Sequence, residues 1–211
     1  MATATGRPEL LKRALLVERV SIAWMVAEAA VGLISGIAAH SVSLIVFGFN
    51  SVLELVAGIV VYAQLRMESR GDASLHSEEH ERKGLWAVGI TLWLLCIYIL
   101  LDGGRALVRH RVPEKTAAGL AIALAALVLT PLLAAAKLRL GREIPNRALV
   151  ADGKETIACG WLSFVVVIGV GLNASLGWWW ADSAAALAMI PFLVFEARGA
   201  IRLARGKTLT P

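Results

Sequence analysis

Two pairs of side chains have the types and spacing to do chemistry: Asn50 with Glu54, and Glu155 with Cys159, each four residues apart. A spacing of four stacks both members on one helical face. Both pairs sit in apolar runs, SVSLIVFGFNSVLELVAGIVVYAQLR over 41–66 and ALVADGKETIACGWLSFVVVIG over 148–169. A carboxylate in hydrocarbon costs roughly 2.5–3.5 kcal/mol on insertion scales, so it turns toward protein rather than lipid. Facing each other, the pairs offer an amide oxygen, two carboxylates and a potential thiolate. That set suits a four-coordinate divalent transition metal such as zinc better than magnesium or calcium, which prefer oxygen shells. Plainer readings stand beside it. Cys159 also reads as a small buried hydrophobe, and Lys154 offers Glu155 an ion pair, although adjacent residues point to different faces of a helix.

Two further acids belong to the same picture. Asp152 lies three residues before Glu155 and shares its face. Glu28 lies deep in an earlier apolar run, among Ala27, Ala29, Ala30, Gly32, Ser35 and Gly36. It reads equally as a helix-packing hydrogen-bond partner and as part of an ion or proton pathway. His76 and His80, with Glu78, Glu79 and Glu81, form a possible second metal site if that segment is helical; a solvated charged loop is the simpler account.

The elements that must position these groups are membrane helices. At about 1.5 Å per residue, a run of about 25 residues crosses a hydrocarbon core of about 30 Å with some tilt. Six such runs are legible, at about 15–38, 41–66, 84–104, 117–136, 149–172 and 179–198. The first carries Glu18 and Glu28 and is too long for a signal-peptide core of about 7–15 residues. Glu18 is expected at the membrane surface beside Arg19. Pro131 in the fourth run is a tolerated kink, and Trp178–Trp180 mark an interfacial belt. The expected organisation is therefore a short arm over 1–14, a six-span domain over 15–203 and a short tail over 204–211, with no soluble domain after it.

Composition agrees. Hydrophobic residues make up 58% of 211, against roughly 45–50% in soluble domains. The formal net charge of +5 gathers at the ends of apolar runs, where it anchors helices, and implies no nucleic-acid partner. Lys and Arg concentrate in the N-terminal arm, after the second and fourth spans and in the tail, which predicts cytoplasmic termini in a multi-pass protein of the inner or plasma membrane. The cluster from Arg105 to Lys115 is the exception on the other side. Cys96 and Cys159 both fall in apolar runs, so no disulfide framework is implied. No HExxH, no GxSxG and no clustered Ser, His and Asp set is present, so the chain does not read as an enzyme and no prosthetic group is expected.

The chain resembles the transmembrane domain of the cation diffusion facilitator family, the six-helix metal/proton antiporters. His40, Ser41, Ser43 and Leu44 match the start of that family's second-helix run, and Ala151 and Asp152 match the start of its fifth-helix run. FGFNSVLELVAG, ADGKETIACGWLS and GWWWADSAAAL are especially similar to a compact subgroup akin to the vertebrate transmembrane protein 163 type. The resemblance implies an all-α, six-transmembrane-helix bundle of the cation-efflux type, working as a homodimer. It also implies metal positions at Asn50, Glu54, Glu155 and Cys159. Asn50 stands where an acid or histidine is usual, Phe47 where an aspartate is common, and Asp182 matches a family acid that also reads as a helix cap or interfacial anchor. The implied activity is efflux of a divalent metal ion, zinc by default, against protons by alternating access. The alternative is a partner or regulatory subunit that binds metal without transporting it.

Overall fold

Why six helices form is answered by their ends as much as by their apolar middles. In the computed structural model, residues 6–70 and 78–205 are described, apart from the side chains of residues 78–85. Helix α1 is Arg7–Ala39, with a proline in its first turn, where the missing N–H costs nothing. It stops at His40, whose left-handed backbone (φ 53°) turns the chain directly into α2, Val42–Arg70. The segment Glu78–Tyr98 continues through a π-helical turn, Ile99–Gly103, into α-helical Gly104–Val108, and the whole is numbered α3. Helix α4 is Ala117–Glu143, α5 is Arg147–Leu176 and α6 is Ala181–Ala204. Thr116 caps α4 by accepting from the Gly119 N–H, and Asn146 caps α5 by accepting from the Leu149 N–H. Gly177, at φ 69°, ends α5.

The six membrane-length helices run from 23 to 33 residues, so several continue past the apolar stretch that signals them. The clearest case is α4, whose last two turns take in the segment KLRLGRE that reads as a basic loop. The sequence was right about number and order of spans and short at their ends, because hydropathy registers the hydrocarbon core and not the helix emerging from it.

Helices α1 and α2 form a tight antiparallel hairpin, α4 packs along α5, and α2 meets α5 in the middle. Helix α3 attaches mainly through α6. The hairpin is close because of glycine: a Cβ on Gly36 would lie 2.7 Å from the Ile45 nitrogen, and one on Gly48 would lie 2.7 Å from the Leu33 nitrogen. One face is tied by Arg7 to Glu68 (2.6 Å) and by Asn146 Nδ2 donating to Glu68 Oε2 (3.1 Å). That face, here the N-face, also carries the end of α6, where Arg205 lies over the Trp86 ring. The opposite face is tied by the Glu114 N–H to the Ala39 carbonyl, Asn173 Nδ2 to the Pro113 carbonyl, and His110 against Trp179.

Polarity is inverted relative to a soluble bundle. Ile34, Phe195 and Leu132 are more than 60% exposed, while Glu18, Glu28, Asn50, Glu54, Lys137, Asp152 and Asp182 are all at 5% or less. Apolar side chains outward and charges inward is the arrangement a bilayer demands.

Candidate metal centre

The crossing of α2 and α5 brings three of the four singled-out side chains together. Asn50, Glu54 and Cys159 are all buried. Asn50 Nδ2 donates to Glu54 Oε1 at 3.0 Å and approaches Cys159 Sγ at 3.7 Å. Local sequence explains the pose. Phe47 and Ser51 pack on the same side of α2, and Ser51 and Ser163 return their hydroxyls to carbonyls four residues back, leaving the amide as the donor that reaches the acid.

Glu155 lies one turn nearer the N-face than Cys159. It is half-buried and makes no hydrogen bond or ion pair among the described residues. In this conformation no three His, Cys, Asp or Glu side chains gather around one point among the described residues. The arrangement therefore provides one carboxylate, one thiol and one amide in contact, with a second carboxylate within a turn. Here the amide faces the acid as a donor. Turning it about its last side-chain bond would present an oxygen instead.

Glu28 joins three helices: its carboxylate accepts from Ser51 on α2 and Thr130 on α4, each at 3.4 Å. The packing and pathway readings of this residue thus meet in one side chain, since it is a packing bond one turn from the Asn50–Glu54 pair. Glu196, half-buried on α6, is a further acid within a span. Sequence reasoning passed over Glu196, which follows the apolar run FLVF and lies two residues before Arg198.

Three placements correct the sequence reading. Glu18 is fully buried rather than interfacial, while its neighbour Arg19 points outward to Tyr62. Neighbours on a helix differ by about 100°, so the basic residue could not hold the acid at the surface. Lys137, expected in a loop, is fully buried, with Nζ 2.5 Å from Asp152 Oδ2 and 3.6 Å from Glu18 Oε2. Asp182 neither caps its own helix nor anchors at the interface. It accepts from Ser41 Oγ (2.6 Å), the Val42 N–H (2.8 Å) and Ser43 Oγ, and so caps α2 from across the bundle. His76 lies outside the described residues, as does the side chain of His80.

Comparison with known proteins agrees with this architecture. A family profile described as the cation efflux transmembrane domain matches residues 19–205. An uncharacterized transporter of Synechocystis is 29% identical over 150 residues, covering 70% of this chain and 48% of that protein. Transmembrane protein 163 of Xenopus laevis is 28% identical over 160 residues, covering 74% of this chain and 54% of that protein. The chain thus spans about half the length of these curated relatives.

Proposed function

The chain belongs to the cation efflux family of membrane transporters, and from that premise we propose that it exports a divalent transition-metal ion, zinc foremost, in exchange for protons. It is a multi-pass membrane protein and not an enzyme. The observation that carries the reading is the buried contact of Asn50, Glu54 and Cys159 where α2 crosses α5. A thiolate with oxygen donors favours zinc-like ions over calcium or magnesium. Glu155 completes the set when α5 turns or slides by a fraction of a turn, and that small movement is the kind alternating access requires. Protons enter the exchange because an ion takes carboxylate and thiol groups only in their deprotonated form, so binding releases protons and rebinding protons expels the ion. Glu28 and Asp152 extend the polar path on either side.

Orientation follows from charge. The N-face, where α1 begins and α6 ends, is cytoplasmic, because the larger share of Lys and Arg flanks the spans on that side. The exception on the other face is reduced because Arg111 is held by Asp102 through two hydrogen bonds, at 3.2 and 2.7 Å. The working unit is a homodimer, as the family resemblance implies.

One observation favours a second reading. The Asn50 amide already satisfies Glu54, as a capped site would, and an amide adds no charge to hold an ion. The partner-subunit reading takes this at face value. Metal-dependent proton flux in proteoliposomes, across a panel of divalent ions, decides between them. Zinc accumulation driven by an opposing proton gradient is the expected result. Background flux for every ion, with folded protein, leaves the partner subunit.

A further inference from the structure

With both neighbouring acids ionised, the charge count around Lys137 does not balance. Its ammonium is the single cation between two carboxylates, Asp152 at 2.5 Å and Glu18 at 3.6 Å, and all three side chains are buried. Thr156 Oγ1 accepts from the ammonium at 3.4 Å while donating to the Asp152 carbonyl. Neither Glu18 oxygen has a hydrogen-bond partner among the described residues, nor does Asp152 Oδ2, which meets the ammonium only as an ion pair. A buried ion pair built for stability would have matched charges and filled valences. This one holds two acids on one ammonium, Glu18 the more loosely, and leaves three carboxylate oxygens without a hydrogen bond.

Its position is also informative. Glu18, Lys137 and Asp152 come from α1, α4 and α5, which meet here in the N-face half of the bundle. Asp152 lies seven residues below Cys159 on α5, about 10 Å along the axis toward the N-face. Helices α4 and α5 approach closely there: a Cβ on Gly153 would lie 3.1 Å from Lys137 Cβ. That close approach lets the ammonium reach both acids, at 2.5 and 3.6 Å.

We propose that Glu18 and Asp152 form a second cation station, for a divalent metal ion, which the Lys137 ammonium occupies in this conformation as a tethered stand-in. One divalent ion neutralises two carboxylates where the ammonium leaves one over, and Thr156 supplies a further oxygen. The four-carbon stem of lysine is flexible enough to withdraw. An ion moving between the central contact and the N-face then passes through this station by displacing Lys137. The station does not depend on the transport reading, because it is a statement about bound ions.

Equilibrium dialysis of the full chain in nanodiscs with radioactive zinc tests it. Lys137→Met and Lys137→Gln are each expected to bind one more ion per chain than the unmodified protein, whatever that number is. Adding Glu18→Gln and Asp152→Asn to either should remove the extra ion. The glutamine variant keeps a donor for Asp152 and decides the matter if the methionine variant does not fold. A second arm needs no lysine substitution. At high zinc the unmodified chain should take up a weak additional ion, at least tenfold weaker than in Lys137→Met, and Glu18→Gln should lose it. Unchanged ion counts in folded lysine variants, an extra ion that survives removal of both acids, or superimposable titrations of the unmodified chain and Glu18→Gln would each overturn the proposal.

Discussion

Two buried acidic stations lie at similar distances from the Asn50–Glu54 contact, one toward each membrane face, and they are satisfied by opposite means. Asp182 is surrounded by short, neutral donors: two serine hydroxyls and the first N–H of α2. Every donor there belongs to backbone or to a side chain one bond long, and the positive end of the α2 dipole adds to them. The Glu18–Asp152 station relies on one long, charged side chain from another helix and leaves both Glu18 oxygens and Asp152 Oδ2 without a hydrogen bond. A carboxylate held by a helix end is a strut, since freeing it strands several donors at once. One held by a lysine can be released by a change of rotamer. The same side-chain chemistry, buried to the same degree, therefore serves as a fixed end and a movable one.

The largest expected effect lies between the stations. Glu54→Gln should abolish metal flux in proteoliposomes, because two neutral amides would remain on α2 where an anion must bind the ion. Asn50→Asp should do the reverse, raising metal affinity roughly tenfold or more, since an anionic ligand gains more than an amide oxygen. It should also steepen the pH dependence of transport, with protons competing at one more titratable group. Equal background flux in all three proteins would instead leave the partner-subunit reading of the centre between the stations.

Next in size is the strut. Asp182→Asn keeps the shape but removes the charge and turns one acceptor into a donor facing other donors. It should cost about 2 kcal/mol, read as a lower denaturant midpoint by tryptophan fluorescence. Glu18→Gln, also isosteric, should change stability by less than about 1 kcal/mol, because Lys137 keeps its closer partner, Asp152, and Glu18 gives up no hydrogen bond. Equal losses in the two variants would erase the distinction between the ends.

Much of this difference was legible in the chain, though not by hydropathy. Seven of the eight buried residues of α4, Gly119, Ala123, Ala126, Thr130, Ala134, Lys137 and Gly141, recur at spacings of three and four, a stripe of mostly small residues on which Lys137 falls. Glu18 and Glu28 fall on a matching stripe of α1, with Ala14, Ser21, Met25 and Gly32. Extending each stripe past the apolar window would have moved Lys137 from loop to core. The pairs Asn50/Glu54 and Glu155/Cys159 stood out because polar residues are rare mid-span. Asp182 was visible but its partner was not, because the 141 residues separating it from Ser41 carry no local signal of contact. The unequal depths of Glu155 and Cys159 on one helix face likewise depend on how α5 is rotated against α2 and α6, which packing decides.

The smallest expected effect separates charge from burial as the cause of the contrast. Asp102 and Arg111 form a bidentate ion pair on the same face as Asp182, with side chains 26% and 34% exposed. The pair is formally stronger than any single hydrogen bond to Asp182, since both partners are ionised and two bonds run in parallel. Water nonetheless reaches both groups, so each recovers most of its solvation when the other is removed. Arg111→Gln should therefore cost no more than about 1 kcal/mol, and rising salt should shrink the gap between it and the unmodified chain. The Asp182→Asn loss should stay nearly constant in salt, because its donors are uncharged and sealed from solvent. Denaturant midpoints at low and high ionic strength for the two variants check this directly. An Arg111→Gln loss as large and as salt-insensitive as that of Asp182→Asn would mean that charge alone, rather than what burial leaves unpaired, sets the strength of these contacts.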